Sequence, residues 1–197
     1  MNKFGKYFIF LGIILVIFSF SLLIYNNLKD YQAGKSSKEV LKIIEHDNKK
    51  INENIITNVN NLTNKEEKVI NINNNNYIGT IEIPSLNLKL PIMSDFTYDK
   101  LNISPCRYFG SIETKDLVIC GHAYRTHFKY LVNLEQGDLV IITDFYNNTY
   151  IYEVLEIEIL KPTDIEEMLS GEFDLTLYTC TSDSKNRITV RCNLISE

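Results

Sequence analysis

The residues best suited to chemistry lie in Leu175-Thr-Leu-Tyr-Thr-Cys180, the polar run Thr181 to Asn186, and Arg187-Ile-Thr-Val-Arg191-Cys192. The β-branched, aromatic and aliphatic residues from Leu175 to Thr179 suit a strand, and Ile188 to Ile195 reads as a second one. Thr181 to Asn186 is turn chemistry. Cys180 therefore ends one strand and Arg187 starts the next. A thiol facing a cation across a short loop is a candidate nucleophile, because a nearby cation favours the thiolate and arginine cannot lose its charge. What remains is a proton carrier. The chain has three histidines, His46, His122 and His127. His122 closes the strand-like run Asp116-Leu-Val-Ile-Cys-Gly-His122, and Gly121 before it permits close backbone approach. A Cys, a His and an Arg at strand ends can converge on one rim of a sheet or barrel. Each also has a plainer reading: a small buried hydrophobe for Cys180, a satisfied core histidine for His122, a solvated charge for Arg187.

Thr-Leu-Tyr-Thr-Cys180 with Arg187 on the next strand, the upstream Gly121-His122, and Tyr77-Ile-Gly-Thr-Ile-Glu-Ile-Pro84 at the start of the region resemble the sortases, cysteine transpeptidases of the Gram-positive cell surface. The motifs occur in the family's order and span residues 77 to 197. The resemblance implies an all-β fold, an eight-stranded closed sortase-type barrel with short inserted helices. It implies that Cys180 attacks the carbonyl of a Thr–Gly-like bond in a C-terminal sorting signal, giving a thioester that an amine then resolves. His122 would serve as general acid and then base. Arg187 would hold the substrate backbone and the tetrahedral oxygen, with Thr179 supporting substrate or oxyanion through its hydroxyl. Arg191 is the rival cation; the family's Arg, two or three variable residues and Val favours Arg187. The implied partners are surface proteins bearing a sorting signal and a peptidoglycan precursor or other amine acceptor. Thr-Leu-Tyr-Thr-Cys-Thr and the short following loop point to the class B or D neighbourhood. The same residues would equally serve a cysteine hydrolase with water as acceptor, and an anchored β-domain that only binds peptides needs no reactive thiol.

These residues need elements to position them and a place to act. Tyr7 to Tyr25 is a nineteen-residue run without charge, long enough to span a bilayer as a helix. Lys3 and Lys6 precede it, which predicts a cytoplasmic N-terminus. The run exceeds a usual signal-peptide h-region and no Ala-x-Ala follows it. The expectation is a single-pass cell-membrane anchor over residues 1–25 with the remainder outside the cell. Residues 26–76 read as a stalk, loose from Asn26 to Ser37. From Glu39 an apolar spacing appears at Leu41, Ile44, Asn48, Ile51, Ile55, Asn58 and Leu62. That seam fits a coiled-coil dimer, a helix packed on its own catalytic domain, or a frayed tether. The asparagine-dense run from Asn52 to Asn76 reads as a spacer.

From Tyr77 short strands recur: Tyr77–Ile83, Leu86–Ile92, the His122 run, Leu139–Asp144, Thr149–Ile159 and the two around Cys180. Thr97–Ile103, Thr126–Leu134 and Asp164–Ser170 read as short helices, and Ser104–Gly110 as a loop. About eight such strands argue for a barrel or sandwich. Glu197 closely follows the last strand, and residues 26–76 show no Asp-Pro-aromatic lid, which favours an anchoring enzyme over a polymerising one. Residues 77–197 hold ten Lys/Arg and eighteen Asp/Glu, so no nucleic-acid surface is expected. His127, five residues after His122, lacks further ligands at a metal-site spacing, and no calcium loop stands out; no cofactor or metal is expected. Cys106, Cys120 and Cys192 leave a disulfide open, without connectivity.

Overall fold

The computed structural model describes residues 3–55 and 67–197. A long helix α1 (Lys3–Ile55) precedes nine strands. These are β1 (Ile70–Ile72), β2 (Asn75–Ile83), β3 (Leu88–Met93), β4 (Cys106–Phe109), β5 (Leu117–Cys120), β6 (Leu139–Asp144), β7 (Thr149–Leu160), β8 (Leu175–Cys180) and β9 (Arg187–Ser196). Short helices α2 (Tyr98–Leu101) and α3 (Ile165–Met168) precede β4 and β8. The spatial order is β2-β3-β4-β5-β8-β9-β7-β6, and β6 returns to pair with β2 from Gly79↔Asp144 to Glu82↔Ile141. That last pairing closes an eight-stranded barrel, as expected, and removes the open edges a flat sheet would expose. β1 adds a short antiparallel partner to the start of β2.

Alternation along the strands decides what faces inward. Leu175 and Leu177 of β8, Ile188, Val190 and Cys192 of β9, and Leu117 and Ile119 of β5 enter the barrel core with Ile81, Ile83, Val140 and Ile142. The residues between them face outward, where a second apolar cluster joins Tyr77, Met93, Cys106, Cys120 and Phe145 to Val40 and Ile44 of α1. The Asn147-Asn148 turn forms the expected hairpin. Asn147 takes a left-handed φ of 65°, and the Asp144 carboxylate accepts from the Tyr146 and Asn148 amides.

Three local expectations change. Cys106–Phe109, read as loop, is β4. It is short and is made a strand by pairing with β5 (Cys106↔Cys120, Arg107↔Ile119) rather than by any pattern of its own. Ile70–Ile72, read as spacer, is β1. Residues 26–37, read as loose, continue α1.

Helix α1 lies against the barrel through Ala33, Gly34, Ser37, Val40 and Ile44, all buried. Small residues permit the close approach: a Cβ on Gly34 would stand 2.6 Å from Thr126 Cγ2. The Asp30 carboxylate accepts from the Thr126 amide (3.2 Å) and hydroxyl (2.8 Å). Ser37 donates its only hydroxyl proton to the Ile103 carbonyl (2.7 Å) and therefore accepts from Nε2–H of His127 (3.2 Å). The helix thus packs on its own barrel, one of the three readings of the seam, but on a face beginning earlier than the predicted one. Asn58 and Leu62 of that seam lie outside the described residues.

His127 is 1% exposed and its Nδ1 has no hydrogen-bond partner among the described residues. Burial, with His122 nearby, lowers its pKa to about 4. Neutral His127 is therefore favoured by folding. Its share of stability, about 3 kcal/mol, is complete above pH 6.5 and is lost as the pH falls toward 4, because the unfolded chain takes up the proton first. Urea midpoints at pH 7.5 and 4.5 should differ more in the wild type than in His127→Gln; parallel pH slopes would show that His127 does not carry this effect.

Candidate active site

β5 and β8 run parallel, with Cys120 opposite Tyr178, and the Gly121 amide donates to the Tyr178 carbonyl (3.1 Å). That bond carries the pairing one residue past the end of β5, and His122 follows directly, toward the Cys180 end of β8. On the other side of β8, Cys180 pairs directly with Arg187 across the β8–β9 ladder. Cys180 and Arg187 lie on adjacent strands with the same outward parity, and His122 lies in the loop that leaves β5 at the same end.

Local chemistry fixes each position. The loop between Cys180 and Arg187 is tied shut: Thr181 N–H donates to the Asn186 carbonyl, Asn186 N–H to Thr181 Oγ1, and Thr181 Oγ1–H to Asp183. Ser184 takes φ 59° at its tip. The His122 loop folds back on itself. Phe128 N–H donates to the His122 carbonyl, and the His127 and Lys129 amides both donate to the Tyr124 carbonyl. The His122 and Tyr124 rings lie 4.7 Å apart, and the Tyr124 hydroxyl donates to Asn102.

Gly121 explains why this loop sits so close to the strand. A Cβ there would stand 2.5 Å from Cδ2 of the buried Phe128 ring. Gly121→Ala is expected to push the loop, and His122 with it, away from β8, lowering kcat/KM by about 100-fold for a stability loss of about 1–3 kcal/mol. Steady-state kinetics alongside urea unfolding check this; unchanged kinetics would show that the loop absorbs the methyl without moving the histidine.

The four cysteines are free thiols, so the disulfide left open by the sequence is not formed. They differ in exposure. Cys106, Cys120 and Cys192 are buried, whereas Cys180 is partly exposed. Burial pushes the Cys120 and Cys192 thiols up to about 12 and raises Cys106 further. These three hold their protons at neutral pH, which suits packing and not attack. Burial, followed by the charge of Lys29 on α1, lowers the His122 pKa below 6.5.

Arg187 borders a cleft of about 200 Å³ with Phe96, Tyr108, Tyr178, Ile165 and Met168 among its walls. The aromatic walls interlock edge to face: Phe96 with Tyr108, and Tyr108 with Tyr178, each at 5.6 Å. Among the described residues the Arg187 guanidinium makes one hydrogen bond, to the Asn186 carbonyl, leaving donors for a ligand. Arg191, its rival, is 2% exposed. It bonds Glu158 Oε1 (2.6 Å), the Met168 and Glu167 carbonyls and Thr176 Oγ1 (2.9 Å).

The structure does not bring Thr179 into this cleft. It alternates with Cys180 onto the inner side of β8, is 1% exposed, and its hydroxyl has no partner among the described residues. Sequence reasoning missed the contact of α1 with the His122 loop through Asp30, Gly34 and Ser37; the spacing of Ala33, Ser37, Val40 and Ile44 was the available signal. No group of three or more potential metal ligands occurs among the described residues.

A closed barrel with a partly exposed thiol paired to a guanidinium at one end, and a histidine in the adjoining loop, holds the groups that a cysteine acyl-transfer enzyme needs. The sortase domain family matches residues 81–195, more than half of the chain, and the chain belongs to the sortase family of cysteine transpeptidases. Among solved structures it is similar to sortase C1 from Streptococcus suis (28% identity, 61% of this chain and 74% of that one, TM-score 0.54). It is also similar to a lid mutant of sortase A from Corynebacterium diphtheriae (27%, 61% and 71%, TM-score 0.53). A Clostridium perfringens sortase D5 transpeptidase shares the fold over 84% of this chain and 99% of its own, at 21% identity and TM-score 0.57. No curated protein matches the chain at a significant level.

Proposed function

We propose that this transpeptidase is anchored in the cell membrane by residues 1–25, with the N-terminus cytoplasmic, residues 26–76 as its stalk and residues 77–197 as its catalytic domain outside the cell. It cleaves a C-terminal sorting signal of the LPXTG type and joins the protein to an amine of the cell wall. The observation that supports the reading is the pairing of the partly exposed Cys180 with Arg187, at the end of the barrel where the chain leaves β5 toward His122. The anchor rests on α1, whose apolar run is exposed along its length and is long enough to cross a membrane.

The Cys180 thiolate attacks the carbonyl carbon of the Thr–Gly-like bond, and Arg187 stabilises the charge that develops on oxygen. His122, as imidazolium, gives its proton to the departing amine, leaving a thioester on Cys180. An incoming amine attacks the thioester, His122 takes its proton, and the thiolate is released. The test uses the full chain in detergent micelles, quenched sorting-signal peptides, and amines offered or withheld, read by mass spectrometry. A ligated product supports the proposal. Cleavage without ligation for every amine would make it a hydrolase, and binding without turnover a peptide-binding domain.

A further inference from the structure

Helix α1 passes without a break from its apolar run into the segment docked on the barrel, so the barrel's height above a bilayer is set by helix rise alone. Asp30, which holds Thr126, lies five residues beyond Tyr25, about 7.5 Å along the axis. The polar headgroup layer is about 5–7 Å deep on each side of the hydrocarbon core. The part of the barrel at that level is the 123–129 loop, which carries His122 at its base.

That level also carries a cleft of about 310 Å³ between α1 and the loop, lined by Asn26, Asn27, Lys29, Asp30, Arg125 and Lys129. Oδ1 of Asp30 is occupied by Thr126. Among the described residues Lys29, Arg125 and Lys129 make no ion pair, and all three are exposed. Residues 77–197 are acidic, ten Lys/Arg against eighteen Asp/Glu, so Arg125 and Lys129 meeting Lys29 of α1 around one cleft runs against the general charge of the barrel. One helical turn below, Tyr25 ends the apolar run, with Lys29 Nζ 5.2 Å from its ring. An aromatic residue at the interface with a cation above it is the arrangement that anchors a helix at headgroup depth.

We propose that this cleft binds the phosphate headgroup of an anionic phospholipid and seats the active-site end of the barrel on the membrane. The inference rests on α1 being a membrane anchor. Lys29, Arg125 and Lys129 supply the charge, and the Asn26 and Asn27 amides supply neutral donors. Seated this way, the thiol works at the height where a protein still held by its own membrane span presents the residues just outside that span.

Native mass spectrometry of the full chain in neutral detergent, titrated with phosphatidylglycerol or phosphatidylcholine, tests the proposal. The wild type should retain phosphatidylglycerol preferentially. Arg125→Gln with Lys129→Gln should cut that preference by about thirtyfold while leaving turnover of a soluble peptide unchanged, and Arg125→Lys with Lys129→Arg should restore it. Equal retention of the two lipids, or a preference that survives the glutamine pair, would overturn the proposal. So would displacement of the lipid by an equal concentration of free glycerol phosphate, which would make the cleft a site for soluble phosphates. Carbonate extraction of the membranes tests the anchor separately: a chain that washes off loses its anchor whatever lipid it prefers.

Discussion

Alanine at position 180 should lower the ligation rate by at least about 10⁴-fold and leave the unfolding midpoint within about 2 °C of the wild type. The first half follows from chemistry. Without the thiol no thioester forms, and the cleft and Arg187 can only bind. The second half follows from position. Cys180 ends β8 on its outer face and belongs to none of the apolar clusters. Single-turnover ligation assayed by intact mass, together with a thermal melt, measures both. Exposure predicts a companion result: brief alkylation of the native chain should label one of the four cysteines, and peptide mapping should find it at 180. Ligation that persists in Cys180→Ala would overturn the assignment of the nucleophile.

The second large effect separates the two arginines. Arg191→Ala should cost about 3–5 kcal/mol of stability, because it leaves Glu158 without its buried partner and removes donors from two carbonyls and Thr176. This side chain ties α3 to β9, and it lies over the Phe173 ring at 5.2 Å. Arg187→Lys should leave stability unchanged within about 0.5 kcal/mol and lower kcat/KM by about 100- to 1,000-fold, the range seen when a donor to a developing oxyanion is lost. Lysine keeps the charge and loses the planar fork. Urea unfolding and steady-state kinetics on both variants decide the matter. A stable, inactive Arg191→Ala beside a fully active Arg187→Lys would exchange the two roles.

The β8–β9 hairpin was legible because its local signals agree: β-formers on both sides, a polar turn between them, and a thiol and a cation at the junction. The class of fold followed from the regular spacing of strands and from the family resemblance. The elements that escaped reading owe their existence to distant partners. β4 has one parallel partner pair with β3, Met93↔Cys106, and an irregular register with β5. Nothing in Cys106-Arg-Tyr-Phe109 alternates in a way that announces a strand. In residues 26–37 the large apolar side chains, Leu28 and Tyr31, are exposed, so the helix has no apolar stripe against the barrel there; Gly34 and Ser37 hold it by close approach and hydrogen bonds instead. Arg187 and Arg191 share a residue type and a parity on β9. Only the packing of α3 against the sheet shows that one is enclosed and the other open.

The parallel pairing of β5 with β8 bears on how the chain acquires its chemistry. Cys180 and Arg187 meet through a hairpin that closes locally, whereas His122 reaches them across a long stretch of intervening sequence. Contacts of large sequence separation are slow to form because loop closure must precede their reward. A refolding chain should thus assemble the thiol–guanidinium half early and recruit the imidazole late, so recovered activity lags the far-ultraviolet signal of the strands. Coincident traces would remove this ordering. On the proposed roles, a thiol that gains its proton carrier only when the barrel closes stays idle in the incomplete chain and becomes reactive once the molecule is whole.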